Sequence, residues 1–333
     1  MVKRLLVVVS FFLVSAYLFG QDNMKKIEDI RIRDPFVLAD KVASTYYLYS
    51  SMSGSTANGR KGVQAYKSKD LENWEGPFPV CILPDDFWAR GSVWAPEVHM
   101  YKNKYYLFVT FTSDKKLTQI EGRPEIVNRA SQILVSDSPE GPFKPFKNQP
   151  HTPLEWMSLD ATLWVEDGKP YMIFCHEWIQ VTDGTVELVS LKDDLSETGG
   201  KPFTLFKATD AKWVKNLGAV GEQYQNKAHE GYVTDGPFLY RTKAGKLLMI
   251  WSSFGEQKYT VGLVESLSGK IQGPWKMVPE PLFKANGGHG MIFNTFSGKV
   301  MLVLHQPNQS PLERAKLFEL EDTGVSLIMR IKS

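Results

Sequence analysis

The sequence predicts an all-β fold, a five-bladed β-propeller, on three observations. Long amphipathic helical stretches are missing, and short runs rich in Val, Ile, Tyr, Phe and Trp alternate with Gly, Pro, Asn and Asp. Five of these runs follow a turn of one design. Five leading segments of related composition precede those turns at a regular interval. A four-stranded unit repeated five times protects its sheet edges by closing radially. A β-sandwich would not return the same hairpin at a fixed spacing.

In order along the chain, the leading segments are Arg33-Asp34-Pro35-Phe36-Val37-Leu38, Trp94-Ala95-Pro96-Glu97-Val98-His99, Leu159-Asp160-Ala161-Thr162-Leu163-Trp164, Thr234-Asp235-Gly236-Pro237-Phe238-Leu239 and Gly288-His289-Gly290-Met291-Ile292-Phe293. Their markers, Asp34, Glu97, Asp160, Asp235 and His289, are spaced by 63, 63, 75 and 54 residues. After each comes a turn and then a strand: Tyr46 to Tyr49, Tyr105 to Phe111, Tyr171 to Cys175, Leu247 to Trp251 and Val300 to Leu304. A second motif closes four of the units, as Glu75-Gly76-Pro77-Phe78, Glu140-Gly141-Pro142-Phe143, Gly200-Lys201-Pro202-Phe203 and Gln272-Gly273-Pro274-Trp275. The excess length before Asp235, from Ala208 to Glu230, reads as an insertion.

Ahead of the repeats, Lys3 and Arg4 precede the apolar run Leu5 to Phe19, the pattern of a secretory signal peptide over residues 1–20. Residues 21–333 then form one propeller domain, secreted or periplasmic. The chain carries 39 Lys plus Arg against 37 Asp plus Glu. Without Lys3 and Arg4 the charges balance, which argues against nucleic acid or a membrane surface as partner. A monomer acting on carbohydrate is expected. Cys81 and Cys175 are too few for a disulfide framework, and Cys175 reads as a small buried hydrophobe.

In a propeller the first strands line a central channel, so the five leading segments converge on one mouth. Three aspartates and a glutamate gathered there repel one another, shift their pKa values apart and cost stability unless they serve a reaction. Phosphate-loop, nucleophile-elbow, dinucleotide and zinc motifs do not occur.

The four segments around Asp34, Glu97, Asp160 and Asp235, in that order, resemble the first-strand motifs of glycoside hydrolase family 43. The resemblance extends over nearly the whole mature chain. It implies inverting glycoside hydrolysis with release of a pentose or furanose: α-L-arabinofuranosyl, β-D-xylosyl or galactofuranosyl; a pocket closed by the insertion before Asp235 favours exo action on a terminal sugar, the expected mode, and an open cleft endo action. By resemblance Asp34 is the general base, Asp160 the carboxylate that adjusts and orients the acid, and Asp235 the acid. The family places glutamate at the last position, and aspartate is one methylene shorter. Three readings therefore stand: Asp235 is the acid; Glu177 or Glu230 donates the proton instead; or the domain binds sugar without cleaving it. A retaining mechanism is the remaining enzymatic alternative.

Around the carboxylates, Phe36, Trp94, Glu97, Trp178 and Phe238 are expected to touch substrate, the aromatics as platforms for sugar C–H faces. His289 is expected to stand, through water, near a Ca or Na ion in the channel, as the family resemblance implies. No cofactor is required for the chemistry.

Overall fold

The computed structural model describes residues 24–52, 59–220 and 230–330; the expected signal peptide and residues 221–229 of the insertion lie outside them. The strands form five sheets arranged as the blades of a propeller. Blade one contains β2 (Phe36–Asp40), β3 (Thr45–Ser51), β4 (Gly62–Ser68) and β5 (Asn73–Ile82). Blade two is β6 (Val93–Tyr101), β7 (Lys104–Lys116), β8 (Val127–Ser136) and β9 (Lys144–Pro145). In blade three follow β10 (Ser158–Glu166), β11 (Lys169–His176), β12 (Thr185–Ser190) and β13 (Phe203–Lys207). Blade four is β14 (Asp235–Arg241), β15 (Leu247–Gly255), β16 (Lys258–Ser266) and β17 (Trp275–Met277). Blade five is β18 (Gly288–Asn294), β19 (Val300–Gln306), β20 (Arg314–Asp322) and β21 (Leu327–Met329). Every pairing within a blade is antiparallel, so each leading segment starts an innermost strand as its repeat phase requires.

The repeated hairpins follow from turn chemistry. In blades two and three the tips are the residue pairs Lys102-Asn103 and Asp167-Gly168, all four at positive φ, the backbone that matches strand twist in a two-residue loop. Blades four and five use longer tips that close with Gly245 and Gly298 at φ 85° and 86°. The Gly-Pro motif lies within β5 and directly ahead of β9 and β17, so it marks outer strands.

The first described residues, β1 (Met24–Lys26), pair with β5 and give blade one a fifth, outermost strand. From there the chain crosses to blade five, where Arg31 bridges Arg314 and the Ile32 N–H donates to the Glu313 carbonyl at 3.3 Å. Blade five is otherwise built from residues 288–329, and this crossing ties the ring's first and last blades together.

Apolar clusters fill the spaces between blades. One joins blades three and four around Trp251, Ile173 and Met249; another joins blades four and five around Ile250, Leu302 and Leu304. Tyr49, Trp74, Phe108 and Trp251 are among the largest fully buried side chains. Cys81 and Cys175 are both free and buried. Burial pushes the Cys81 thiol up to about 12, so both behave as small hydrophobes.

Candidate active site

Four of the five innermost strands break their ladder near the start: between Trp94 and Glu97, Leu159 and Thr162, Asp235 and Phe238, and Gly288 and Met291. At each break one residue takes a left-handed backbone: Ala95 (φ 45°), Asp160 (φ 58°), Gly236 (φ 50°) and His289 (φ 47°). Asp34, ahead of β2, does the same at φ 51°. Non-glycine residues in this region are uncommon and recur where a fold holds a functional side chain against strain. The repeat phase is thereby corrected at two markers. The equivalent position is Ala95, not Glu97, in blade two, and Gly236, not Asp235, in blade four. A bulge redirects one residue per strand, and composition alone does not reveal which.

A bulged residue leaves its N–H outside the ladder, and the preceding blade supplies the acceptor. The Asp34 N–H donates to His305 Nδ1 at 3.2 Å, that of Asp160 to Thr110 Oγ1 at 2.9 Å, and that of His289 to Ser252 Oγ at 2.8 Å. In blade four the Gly236 N–H donates to the Asp160 carboxylate at 3.0 Å. Neighbouring blades therefore lock each other's mouth residues into place.

Asp34 Oδ1 lies 3.2 Å from Nδ1 of His289, 3.2 Å from Nδ1 of His305 and 3.8 Å from the Arg33 guanidinium. Oδ1 has no hydrogen bond of good geometry, so these contacts act mainly through charge. Burial works to raise the Asp34 pKa, but the charges of His289 and Arg33 beside it help to outweigh that and hold the carboxyl below the usual carboxylate range. Burial drives the His305 ring toward neutrality. Its Nδ1 accepts from Asp34 and its Nε2 faces Asn308 Oδ1 at 3.1 Å.

Asp235 stands opposite in character. Burial and then the neighbouring Asp160 push its pKa up to about 7, against the pull of His289 and of a 2.8 Å hydrogen bond donated by the Tyr259 hydroxyl. Asp160 is raised as well, by burial first and the Asp34 charge second. The mouth therefore holds one carboxyl kept ionised and another that keeps its proton near neutrality.

Gly236 is needed for this closeness. A Cβ there would come within 2.8 Å of the His289 ring and would sit on a left-handed backbone. Gly236→Ala is expected to cost about 1–3 kcal/mol of stability. A lowered denaturation midpoint with lost activity would show it; an unchanged midpoint would contradict it.

Several expected contacts lie elsewhere. Phe36 is 4% exposed, its ring 5.1 Å from His99 and 6.2 Å from Phe238. Glu97 is buried and bonds His99 Nε2 at 2.9 Å. Phe36, Phe238 and Glu97 thus meet around His99, with Phe36 and Glu97 buried.

Trp94 does lie at the surface, 37% exposed, with the Arg129 guanidinium 4.2 Å over its ring. Arg129 in turn is ion-paired with Glu177, both buried. Glu177 is therefore engaged in fixing Arg129 over Trp94. Trp178, half-buried, packs against the cluster of Leu217, Val233, Phe254 and Tyr259.

Nδ1 of His289 faces Asp34 and also Asp160, the latter at 3.6 Å. Among the described residues no group of three or more His, Cys, Asp and Glu side chains is arranged to hold a metal. The expected cation thus has no set of direct protein ligands, and it enters no step below.

Tyr259, His305 and Arg129 were not singled out from the sequence. His305 had one available signal: it ends the second strand of blade five, opposite Gly288, as His176 ends that of blade three opposite Ser158. Tyr259 and Arg129 lie at the starts of third strands, which carry no repeated motif.

Residues 27–321 match the family described as Glycosyl hydrolases family 43. The chain is similar to the solved structure of an endo-arabinase from Bacteroides thetaiotaomicron, at 38% identity and a TM-score of 0.76, covering 89% of this chain and 96% of that one. It is 24% identical over 330 residues to the extracellular exo-alpha-(1->5)-L-arabinofuranosidase ArbA of Cellvibrio japonicus, covering 89% of this chain and 85% of the other. An alpha-L-arabinofuranosidase structure from Lactobacillus brevis shares the fold at 16% identity and a TM-score of 0.69, covering 92% of this chain and 100% of that one.

Proposed function

From the premise that this chain belongs to glycosyl hydrolase family 43 and is a glycoside hydrolase, we propose that it cleaves α-L-arabinofuranosyl linkages with inversion. Asp34 is the base and Asp235 the acid. The observation that carries the reading is the opposite treatment of two carboxyls at one mouth, Asp34 held below its ordinary range and Asp235 raised to about 7. Inversion needs both at once, an ionised group to take a proton from water and a protonated one to give a proton to the departing oxygen.

In this mechanism the sugar enters with its anomeric carbon between Asp34 and Asp235. Asp34 removes a proton from a water molecule as that water attacks, while Asp235 protonates the glycosidic oxygen as its bond to the anomeric carbon breaks. Asp160, fixed by the Gly236 N–H, lies beside the acid, and two buried carboxyls this close resist being ionised together, which keeps the acid's proton affinity high. Trp94, steadied by Arg129 and Glu177, offers an exposed ring at the rim. The relatives that name arabinan-type activities support the choice of sugar.

The test is hydrolysis of aryl α-L-arabinofuranosides, aryl β-D-xylosides and arabinan, with the first-formed anomer followed by proton NMR. Expected is cleavage of the arabinofuranoside with β-L-arabinose appearing first. The α anomer first would establish retention, and binding without turnover would establish a non-catalytic propeller. Exo action, part of the same proposal, requires free arabinose as the early product from arabinan; early oligosaccharides would replace it with endo action.

The pH dependence follows from the same groups. Below about 7 Asp235 carries the proton it must donate, and above that the rate falls as the proton is lost. Asp34 remains ionised through mildly acidic pH. Tyr259→Phe removes a donor that stabilises ionised Asp235, so the alkaline limb of kcat is expected to move to higher pH. An unmoved limb in that variant would break the link between Tyr259 and the acid.

A further inference from the structure

Outside the carboxylate mouth, a pocket of about 260 Å³ lies over blade four. Its lining includes the hairpin tip Gly255-Glu256-Gln257 that joins β15 to β16. That tip is at the end of the blade where Ser252 pairs with Asp235, so the pocket and the acid share one end of the blade. Thr260 lines the pocket, while the preceding residue, Tyr259, bonds Asp235. Consecutive residues of a strand face opposite sides. The acid and the pocket therefore lie on the two sides of one strand end.

The pocket has an aromatic wall. Trp213 is half-buried, its ring 5.2 Å from that of Trp251. Gly262 makes room for it: a Cβ there would fall 2.3 Å from the indole. A ring held this way is fixed before any ligand arrives, which lowers the ordering cost of binding. Around it stand Lys215 paired with Glu256 and Lys284 paired with Glu280, each at 3.1 Å, with Lys212 as a further donor. An apolar face flanked by two ion pairs and a further lysine donor matches a neutral sugar, with its C–H face for the indole and its hydroxyls for the rim.

We propose that this pocket is a remote subsite for a neutral sugar unit on the leaving-group side of the bond cut at the carboxylates. The inference rests on the hydrolytic reading above, in which Asp235 protonates the departing oxygen. The leaving portion of the glycan then exits past blade four, the blade that carries the pocket.

Trp213→Ala and Gln257→Ala test it, the second on an exposed hairpin tip where the fold has little at stake. On arabinan or long arabino-oligosaccharides, KM is expected to rise about tenfold in the first and about twofold in the second. Turnover of an aryl arabinofuranoside, too short to reach the pocket, should keep its wild-type kcat/KM. In parallel, the Asp34→Ala chain is run through gels containing arabinan, where adding Trp213→Ala should remove most of the retardation. Should Trp213→Ala fold poorly, Trp213→Phe and Gln257→Ala decide. Polymer KM and retardation unchanged in the folded variants would overturn the subsite. Retardation that depends on Trp213, in a wild-type chain that hydrolyses nothing, would overturn the hydrolytic reading and retain the pocket as a sugar site. Neither retardation nor hydrolysis would overturn both.

Discussion

Asp34→Ala is expected to lower kcat by about 10²–10⁴-fold on every substrate the protein accepts, with little change in KM. The carboxyl stands beside His289 and Arg33, which favour its charged form, and a charged carboxylate is what an attacking water needs as proton acceptor. The loss should not depend on the leaving group, because the base acts on the water. The folded ring should survive, since the interaction that fixes this segment is the backbone N–H donated to His305 Nδ1, and alanine keeps that N–H. Initial rates beside a thermal melt check both halves. Retention of more than a tenth of the wild-type rate in a folded variant would remove Asp34 from the role of base.

Asp235→Asn is expected to show the opposite dependence on the leaving group. An arabino-oligosaccharide, whose departing alkoxide needs a proton, should lose about 10²–10⁴-fold in kcat, and an aryl glycoside with an acidic phenol should lose about tenfold or less. The variant should also lose the alkaline limb near pH 7, because the group that titrates there is gone. Glu177→Gln separates the alternative acid. Glu177 is buried and paired with Arg129, beneath Trp94, so its loss should raise KM by loosening the rim and leave the leaving-group dependence intact. If Glu177→Gln instead reproduces the pattern predicted for Asp235→Asn, the proton comes from Glu177.

The shortened acid also has a physical account. Aspartate in place of glutamate leaves its carboxyl about one methylene back. Asp235 also stands one residue before the bulge that turns Asp34, Asp160 and His289 into the mouth. Tyr259, 1% exposed, reaches across from the third strand to hold it, its ring stacked near that of His305. One side chain therefore touches Asp235 and lies against the histidine that accepts the Asp34 N–H.

What was legible in the sequence is what repeats. The five leading segments, the turns at Lys102-Asn103 and Asp167-Gly168, and the Gly-Pro markers recur because each blade solves the same local problem of twist, pleat and edge. Asp34, Asp160, Asp235 and His289 could be found because they occur once per repeat near one phase. The meeting of Phe36, Phe238 and Glu97 around His99 was not legible, since it joins side chains of three blades. Trp94 and Trp178 share a residue type and a neighbourhood, yet one ring lies at the surface under Arg129 and the other packs into an apolar cluster.

The sequence by itself determined the number of blades, the order of their strands and the three aspartates at the mouth, because these depend on local periodicity and on repetition. The tertiary structure alone decided which carboxyl is ionised and which keeps its proton. That difference comes from groups distant in the chain: His289 beside Asp34, and Asp160 and Tyr259 beside Asp235. Electrostatic energy depends on distance and burial, and ring closure brings the first blade against the fifth and the third against the fourth.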